Sequence, residues 1–322
     1  MKALVRNVYG SPDVLEVAEV DKPEPTEDEV LVRVRAASIN PVEYYMLTGP
    51  FVVRLTSGIR RPKTNRLGVD FAGTVEAVGA NVDQFRPGED VFGGRNGALA
   101  EYVCVGADRA VVPKPPNASF EEAASVPVAA LTALQALRDK GNLQPGQKVL
   151  VNGASGGVGT YAVQIAKALG AEVTAVCSTR NVEQARALGA DRVVDYTRED
   201  FTRSGDRYDV VADIAGGRSW GELKRVLDPH GTLAIVGAQR KDGPLGPLPH
   251  VLGLRLSSIP GSRKAAFFIS KFNKPDMETL GELLASGKMK SVVERRYELV
   301  EAADAFRYLG EGHARGKLVI AL

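Results

Sequence analysis

Val149-Leu150-Val151-Asn152-Gly153-Ala154-Ser155-Gly156-Gly157-Val158-Gly159 passes from a short apolar run through a cluster of small residues into the apolar-periodic segment 161–169. A strand, a glycine turn and a helix in that order form one arm of a βαβ unit. Small residues at the turn let backbone approach a pyrophosphate, and the helix amino terminus offers unpaired N–H donors and a favourable dipole. Ala154 stands at the first glycine position, so the pattern reads A-x-G-x-x-G. Working outward, residues 147–260 alternate buried-strand candidates (148–152, 172–177, 192–195, 209–213 and 232–236) with amphipathic helical stretches. That alternation predicts a parallel, doubly wound sheet with right-handed crossovers.

Upstream the texture differs. The first 120 residues carry β-branched alternation, as in Val30-Leu31-Val32-Arg33-Val34-Arg35-Ala36, broken by Gly and Pro at short intervals. Short strands of a mostly β, barrel-like domain are expected there. Ser119-Phe120-Glu121-Glu122 has the form of a capped helix start, which places a boundary nearby. Downstream, a helix over 277–286 and a strand over 317–320 are expected to close the chain, the strand rejoining the first domain. The predicted division is 1–122 with 261–322, and 123–260. The Gly/Pro-rich loop 242–249 interrupts the pattern and reads as a mobile cover.

Composition excludes several classes of function. The 322 residues carry 41 Lys and Arg against 39 Asp and Glu, a formal charge of +2 without a basic block, which argues against nucleic acid as a partner. No apolar run reaches membrane-spanning length, and the start MKALVRNVYGSP lacks the apolar core of a signal peptide and the Arg-rich character of a transit segment. A soluble, cytoplasmic protein is expected. Cys104 and Cys177 lie in separate apolar stretches and read as buried thiols, and His230, His250 and His313 are far apart in loop-like segments. No metal-ligand spacing is present, so no metal site is expected.

The end of the second strand bears on which dinucleotide is preferred. NAD enzymes usually carry an acid there to hold the ribose hydroxyls, whereas this chain reads Cys177-Ser178-Thr179-Arg180. Hydroxyls and a guanidinium suit a 2′-phosphate, so NADPH is the expected cofactor. Helix capping by Ser178 and Thr179 and a solvated Arg180 are the competing readings.

Ala37-Ser38-Ile39-Asn40-Pro41-Val42-Glu43-Tyr44-Tyr45, Gly68-Val69-Asp70-Phe71-Ala72-Gly73, the 153–159 loop and Gly312-His313-Ala314-Arg315-Gly316-Lys317 occur in one order along the chain. In this the sequence resembles, over essentially its whole length, the zinc-independent quinone-oxidoreductase branch of the medium-chain dehydrogenase/reductase superfamily, nearest to the reticulon-interacting-oxidoreductase-like group. The resemblance implies an α/β protein: a Rossmann domain beside a GroES-like, mostly β catalytic domain built from the amino-terminal part and the last segment. It sets Ser155, Gly156, Gly157, Val158 and Gly159 on the pyrophosphate, and Ser178, Arg180 and Tyr196 around the 2′-phosphate. Arg315, Gly316 and Lys317 would close on the cofactor, Thr132 would lie close to the ring, and Asn40 and Tyr45 would meet its nicotinamide end; Phe267 and Phe268, beside this, read as a wall that keeps water from the nicotinamide pocket. Structural alternatives stand beside these roles: Asn40 fixing the turn before Pro41, Tyr45 and Phe268 as core aromatics, Lys317 flanking a strand.

Zinc alcohol dehydrogenases of the superfamily carry a ligating Cys where this chain has Asn40, and Gly-His-Glu where it has Gly68-Val69-Asp70. Their four-cysteine lobe has no counterpart here. The expected reaction is therefore hydride transfer from NADPH to an acceptor that is already electrophilic, a quinone or an enone, with Tyr45 as a candidate donor to the developing oxyanion. An enoyl-thioester or 2-alkenal reductase is the competing enzyme; for it, Arg54, Arg60, Arg61 and Lys63 within 52–66 would be a basic entrance for a pantetheine-like chain, with a solvated charge cluster as the competing reading. A non-catalytic NADPH-binding sensor is the competing reading of another class. Self-association as a homodimer is expected through the apolar segment 253–259.

Overall fold

The computed structural model describes residues 1–237, 248–259 and 261–322. It divides into two compact units, Met1–Leu131 with Lys271–Leu322, and Thr132–Ser270. These limits lie further along the chain than the expected 122 and 260. Two features move them. The backbone N–H of Val128 is bound by Asp70 of the first unit, and a short strand at Lys264–Phe267 belongs to the sheet of the second.

The first unit opens with an antiparallel pair, β1 (Lys2–Val5) and β2 (Glu16–Glu19). Its main sheet is formed by β3 (Glu29–Ile39), β4 (Asp70–Val78), β5 (Asp90–Gly94), β6 (Tyr102–Gly106) and β7 (Val111–Pro113). In β3 the alternation noted in the sequence is visible, with Arg33 and Arg35 exposed while Val32, Val34 and Ala36 are buried. The second unit holds β8 (Lys148–Asn152), β9 (Glu172–Cys177), β10 (Arg192–Asp195), β11 (Tyr208–Asp213), β12 (Leu227–Ile235) and β13 (Lys264–Phe267). The final segment returns to the first sheet through β14 (Val293–Glu298) and β15 (Lys317–Ala321), the latter antiparallel to β3.

All pairings in the second unit are parallel, in the order β10-β9-β8-β11-β12-β13. This is the doubly wound dinucleotide order, reversing between β8 and β11. Near-continuous burial of Val149–Val151 and Val210–Ala212 is what a sheet covered on both faces demands. The core of the first unit gathers Val30, Val32, Phe71, Phe92, Phe306 and Leu318 among its fully or nearly buried side chains.

Helix Leu248–Ser258, with Ile259 after it, leaves Leu256 and Ile259 more than half exposed within the segment expected to mediate self-association, and Leu252 just before it. The first six residues of the loop read as a cover, 242–247, lie outside the described residues, and Leu248 and Pro249 open this helix. Among the described residues no helix is long and apolar enough to cross a membrane. Cys177 is buried and Cys104 half-buried; burial pushes both thiols up to about 11, so neither is a reactive thiolate at neutral pH.

Candidate functional site

In the second unit the glycine turn follows from two steric demands. Gly153 has φ +91°, a left-handed conformation, so the turn expected of the residue at position 154 is made one position earlier. Ala154 can therefore stand at the first glycine position and be buried. A Cβ on Gly159 would come within 2.1 Å of the Gly153 carbonyl oxygen, so helix Gly157–Ala168 packs on the turn only with glycine there. Gly156 is the N-cap, with no side chain capping the helix and no acid in its first turn. The first-turn N–H groups around Ser155, Gly156, Gly157 and Val158 are thus not taken by a side-chain cap, which fits a pyrophosphate.

The neighbouring strand ends supply the adenosine side. Cys177 of β9 pairs in register with Asp195 of β10. The N–H of Tyr196 donates to the Cys177 carbonyl at 3.1 Å, which brings Ser178, Arg180 and Tyr196 to one edge. Arg180 is exposed, Tyr196 is 56% exposed, and the Ser178 hydroxyl accepts from Asn181 at 3.1 Å. An acid missed by the sequence reading stands here. Asp195 accepts from the Thr179 hydroxyl at 2.5 Å and from the Thr197 hydroxyl and N–H at 2.7 and 3.0 Å. These bonds, Thr179's first, hold its carboxyl below the usual range.

Deeper in the same unit, Asn152 at the end of β8 donates to Asp213 at the end of β11 at 2.7 Å, and the Gly216 N–H donates to the same oxygen at 3.0 Å. Asp213 is fully buried and its second carboxyl oxygen has no hydrogen-bond partner. Burial raises its pKa. This pair abuts the glycine turn, because the N–H of Ala215 donates to the Asn152 carbonyl and a Cβ on Gly153 would meet Ala215. Thr132, half-buried, donates to the Ser270 hydroxyl at 3.1 Å. The Lys140 ammonium lies 5.8 Å from the ring centre of Phe268.

The first unit builds its site from side chains. Ser38 pairs with Asp70 between β3 and β4, and Ile39 pairs with Leu318 between β3 and β15. This register sets Asn40, Asp70 and Lys317 side by side at the ends of three strands, where all are 3% exposed or less. The Asp70 carboxylate receives four donors: the Ser38 hydroxyl at 2.8 Å, the Asn40 carboxamide at 2.9 Å, the Val128 N–H at 2.9 Å and the Lys317 ammonium at 3.3 Å. Lys317 also donates to the Asn40 side-chain oxygen.

Glu43 completes the group from helix Pro41–Thr48, accepting from the Asn40 N–H at 2.9 Å and its carboxamide at 3.3 Å. Burial and then the Asp70 charge push Glu43 up to about 8, against the pull of Lys317. With its proton on, the cluster is neutral: one ammonium and one carboxylate. Sequence reading had singled out Asn40 and Lys317 but neither Asp70 nor Glu43 as site residues. The N-x-x-E spacing of Asn40 and Glu43 around Pro41 is the capping-box signature that could have found one of them.

The Lys317 ammonium is directed inward to Asn40 and Asp70, forming a buried ion pair that the strand-flanking position does not reveal in the sequence. Gly316, at φ +123°, turns the chain into β15, and the Arg315 N–H donates to Glu294 at 2.6 Å. Tyr45 is half-buried on the same helix as Glu43. The second unit thus holds the glycine turn with Ser178, Arg180 and Tyr196, and elsewhere Thr132 and Phe268, while the first holds Asn40 with Lys317, the preceding Arg315 and Gly316, and Tyr45.

Residues 26–116 match the family model described as alcohol dehydrogenase GroES-like domain, and residues 188–320 match that described as zinc-binding dehydrogenase. The chain is 33% identical to the chloroplastic quinone-oxidoreductase homolog of Spinacia oleracea, covering 99% of this chain and 98% of that protein. It is 34% identical to the 2-methylene-furan-3-one reductase of Solanum lycopersicum (99% and 79%) and 33% identical to the mitochondrial NAD(P)H oxidoreductase RTN4IP1 of Mus musculus (99% and 89%). Among solved structures, the quinone oxidoreductase from Coxiella burnetii superposes with a TM-score of 0.85 at 31% identity, covering 100% and 99% of the two chains. The Escherichia coli quinone oxidoreductase complexed with NADPH gives 0.82 at 25% identity, with both chains fully covered. With these relatives and this pair of units, the chain belongs to the medium-chain dehydrogenase/reductase superfamily, in its quinone-oxidoreductase branch.

Proposed function

We propose that the protein is an NADPH-dependent, zinc-independent reductase that delivers a hydride to a quinone or to the β-carbon of an enone. The observation that carries this reading is the backbone cradle of the second unit, an uncapped helix amino terminus over a turn that only glycine can make at 153 and 159. Relatives named as quinone oxidoreductases, NAD(P)H oxidoreductases and a 2-methylene-furan-3-one reductase, the last named for an enone, support the reaction class.

When bound, the dihydronicotinamide supplies the hydride. The protein's residues hold and orient. The glycine turn grips the pyrophosphate, and Ser178, Arg180 and Tyr196 receive the 2′-phosphate. Asp195, one strand further out, is turned to hydroxyls and leaves the end of β9 itself without an acid. In the first unit Asn40 is clamped between Lys317, Asp70 and Glu43, which fixes its carboxamide for the acceptor end. Lys317, expected to close on the cofactor with Arg315 and Gly316, is assigned here the positioning of Asn40, and Tyr45 the donation of a hydrogen bond to the developing oxyanion. Zinc independence is supported by the same cluster: a buried ammonium already occupies the oxygens of Asn40 and Asp70 that a cation would need. A homodimer through the segment 253–259, where Leu256 and Ile259 are exposed, remains our reading of the quaternary structure, to be checked by light scattering.

Purified protein assayed for NADPH oxidation against ortho- and para-quinones, enones and 2-alkenals, with NADH in parallel and zinc measured by elemental analysis, tests the proposal. NADPH-selective turnover with less than stoichiometric zinc is expected. Tight NADPH binding without turnover of any acceptor would instead identify a sensor.

A further inference from the structure

Away from the Asp70 cluster, the first unit contains a cavity of about 210 Å³, well beyond the roughly 30 Å³ share of one liquid water. Its walls carry three cations, Arg6, Lys63 and Arg66, with the polar side chains of Thr56, Ser57 and Asn96, and among the described residues no acid lines it. Lys63 and Asn96 are exposed and Arg66 half-buried, but Arg6 is only 2% exposed. The Nε and Nη1 atoms of Arg6 are buried without a hydrogen-bond partner among the described residues. A buried guanidinium is normally paired, because stranding its donors costs the full desolvation penalty. That penalty shows in the lowered pKa of Arg6, caused first by burial.

The backbone fixes this arrangement. The Arg6 N–H donates to the Asn65 carbonyl at 2.9 Å, Val5 forms a bridge with Arg66, and the Lys63 N–H folds back onto the Ser57 carbonyl at 2.8 Å. Tyr9 supports the guanidinium, its ring centre 5.1 Å away and its side chain hydrogen-bonded to it, while its hydroxyl donates to the Gly58 carbonyl at 2.7 Å. Arg54, expected to join Lys63 in a basic entrance, instead bonds the Gly49 carbonyl at 2.6 Å and flanks the other contact of Tyr9 at 4.7 Å. Three cations lining one cavity, one of them a buried guanidinium with unpartnered donors, and no acid among the described lining residues match one ligand chemistry, an oxyanion. The cavity adjoins the acceptor-side residues of the same unit: Met46 follows Tyr45 on its helix, and Gly68 lies two residues before Asp70.

We propose that this cavity is an oxyanion site that receives a phosphate or carboxylate carried by the acceptor. The assignment to the acceptor rests on the reductase reading above; the oxyanion site does not. Two arms separate them. In the first, thermal unfolding is followed with saturating NADP⁺, to fill the cofactor's own phosphate sites, in inorganic phosphate and in chloride of equal ionic strength. Phosphate is expected to raise the wild-type midpoint and to have no effect on Arg6→Met. That variant removes an unpaired buried charge, so without phosphate it is expected to unfold at the same or a higher temperature. A lower midpoint with the phosphate effect retained would make Arg6 a structural residue and overturn the site. The exposed Lys63→Ala is expected to halve the phosphate effect or more, without risk to the fold.

In the second arm, kcat/KM is compared for 4-phenyl-3-buten-2-one and its para-carboxylate. One charge-assisted pair at about 1.5–3 kcal/mol predicts a preference of roughly tenfold to hundredfold for the carboxylate, lost in both variants. Phosphate stabilisation without that preference would leave a site for the free ion only and overturn the acceptor assignment. Turnover of both enones at equal efficiency with no phosphate effect would overturn the oxyanion site and leave the reductase reading standing.

Discussion

The second unit makes its candidate site almost entirely from backbone, and the first makes its own from charged side chains. In the glycine turn the donors are the N–H groups of one helix terminus, and the sequence constraint is the absence of side chains at 153 and 159. At the Asp70 cluster, donors and acceptors come from positions 38, 40, 43, 128 and 317, and the side chains of Ser38, Asn40, Glu43, Asp70 and Lys317 are all buried. A backbone site tolerates change around it but not a Cβ within it. A buried charge network fails when any one charge is removed, because its partner is then stranded in a low-dielectric interior.

The largest effect that could break this contrast is expected at Lys317. Lys317→Met leaves the Asp70 carboxylate buried without its cation and should cost about 3–5 kcal/mol in urea unfolding; a loss under about 1 kcal/mol would show that the cluster is not a charge network. Glu43 tests the same network through pH. Its folded pKa of about 8 lies above its ordinary value of 4.5, so between those values the folded protein binds more protons than the unfolded chain. Stability should therefore fall as pH rises through that window, by on the order of a few kcal/mol, and level off above it. Glu43→Gln is expected to remove this slope, and an unchanged slope would place the titration elsewhere.

On the backbone side, Gly159→Ala forces a methyl against the Gly153 carbonyl and should destabilise the protein by about 1–3 kcal/mol while weakening NADPH binding, read by cofactor fluorescence. Binding as tight as wild type would sink the cradle. The smallest effect is expected at the exposed Arg180: Arg180→Ala should weaken NADPH by roughly tenfold and leave NADH unchanged. Equal loss for both would assign Arg180 to something other than the 2′-phosphate.

The same contrast decides how much could be read before the structure. The dinucleotide order of the sheet was legible because Val149–Gly159 and the strands after it are contiguous, with each strand an apolar run. The short strand Lys264–Phe267, with a charged first residue and two alanines, carries no such run and was missed, which put the boundary at 260 instead of Ser270. β14, Val-Glu-Arg-Arg-Tyr-Glu, was missed because its charges mask the alternation. Asn40 and Lys317 were named from resemblance, but their contact across 277 positions depends on the β3–β15 register, which no local pattern encodes. Asp195 escaped because attention fell on the end of β9, while the acid stands on β10 and reaches back through Thr179.

Hydride transfer from NADPH to an enone is the reaction on which the roles proposed for both units depend, and a single turnover with NADPH deuterated at the transferable C4 position and an enone acceptor tests it. Deuterium is expected at the β-carbon of the reduced ketone, with the α-hydrogen coming from solvent. NADPH consumed or bound with no deuterium at that carbon would contradict it.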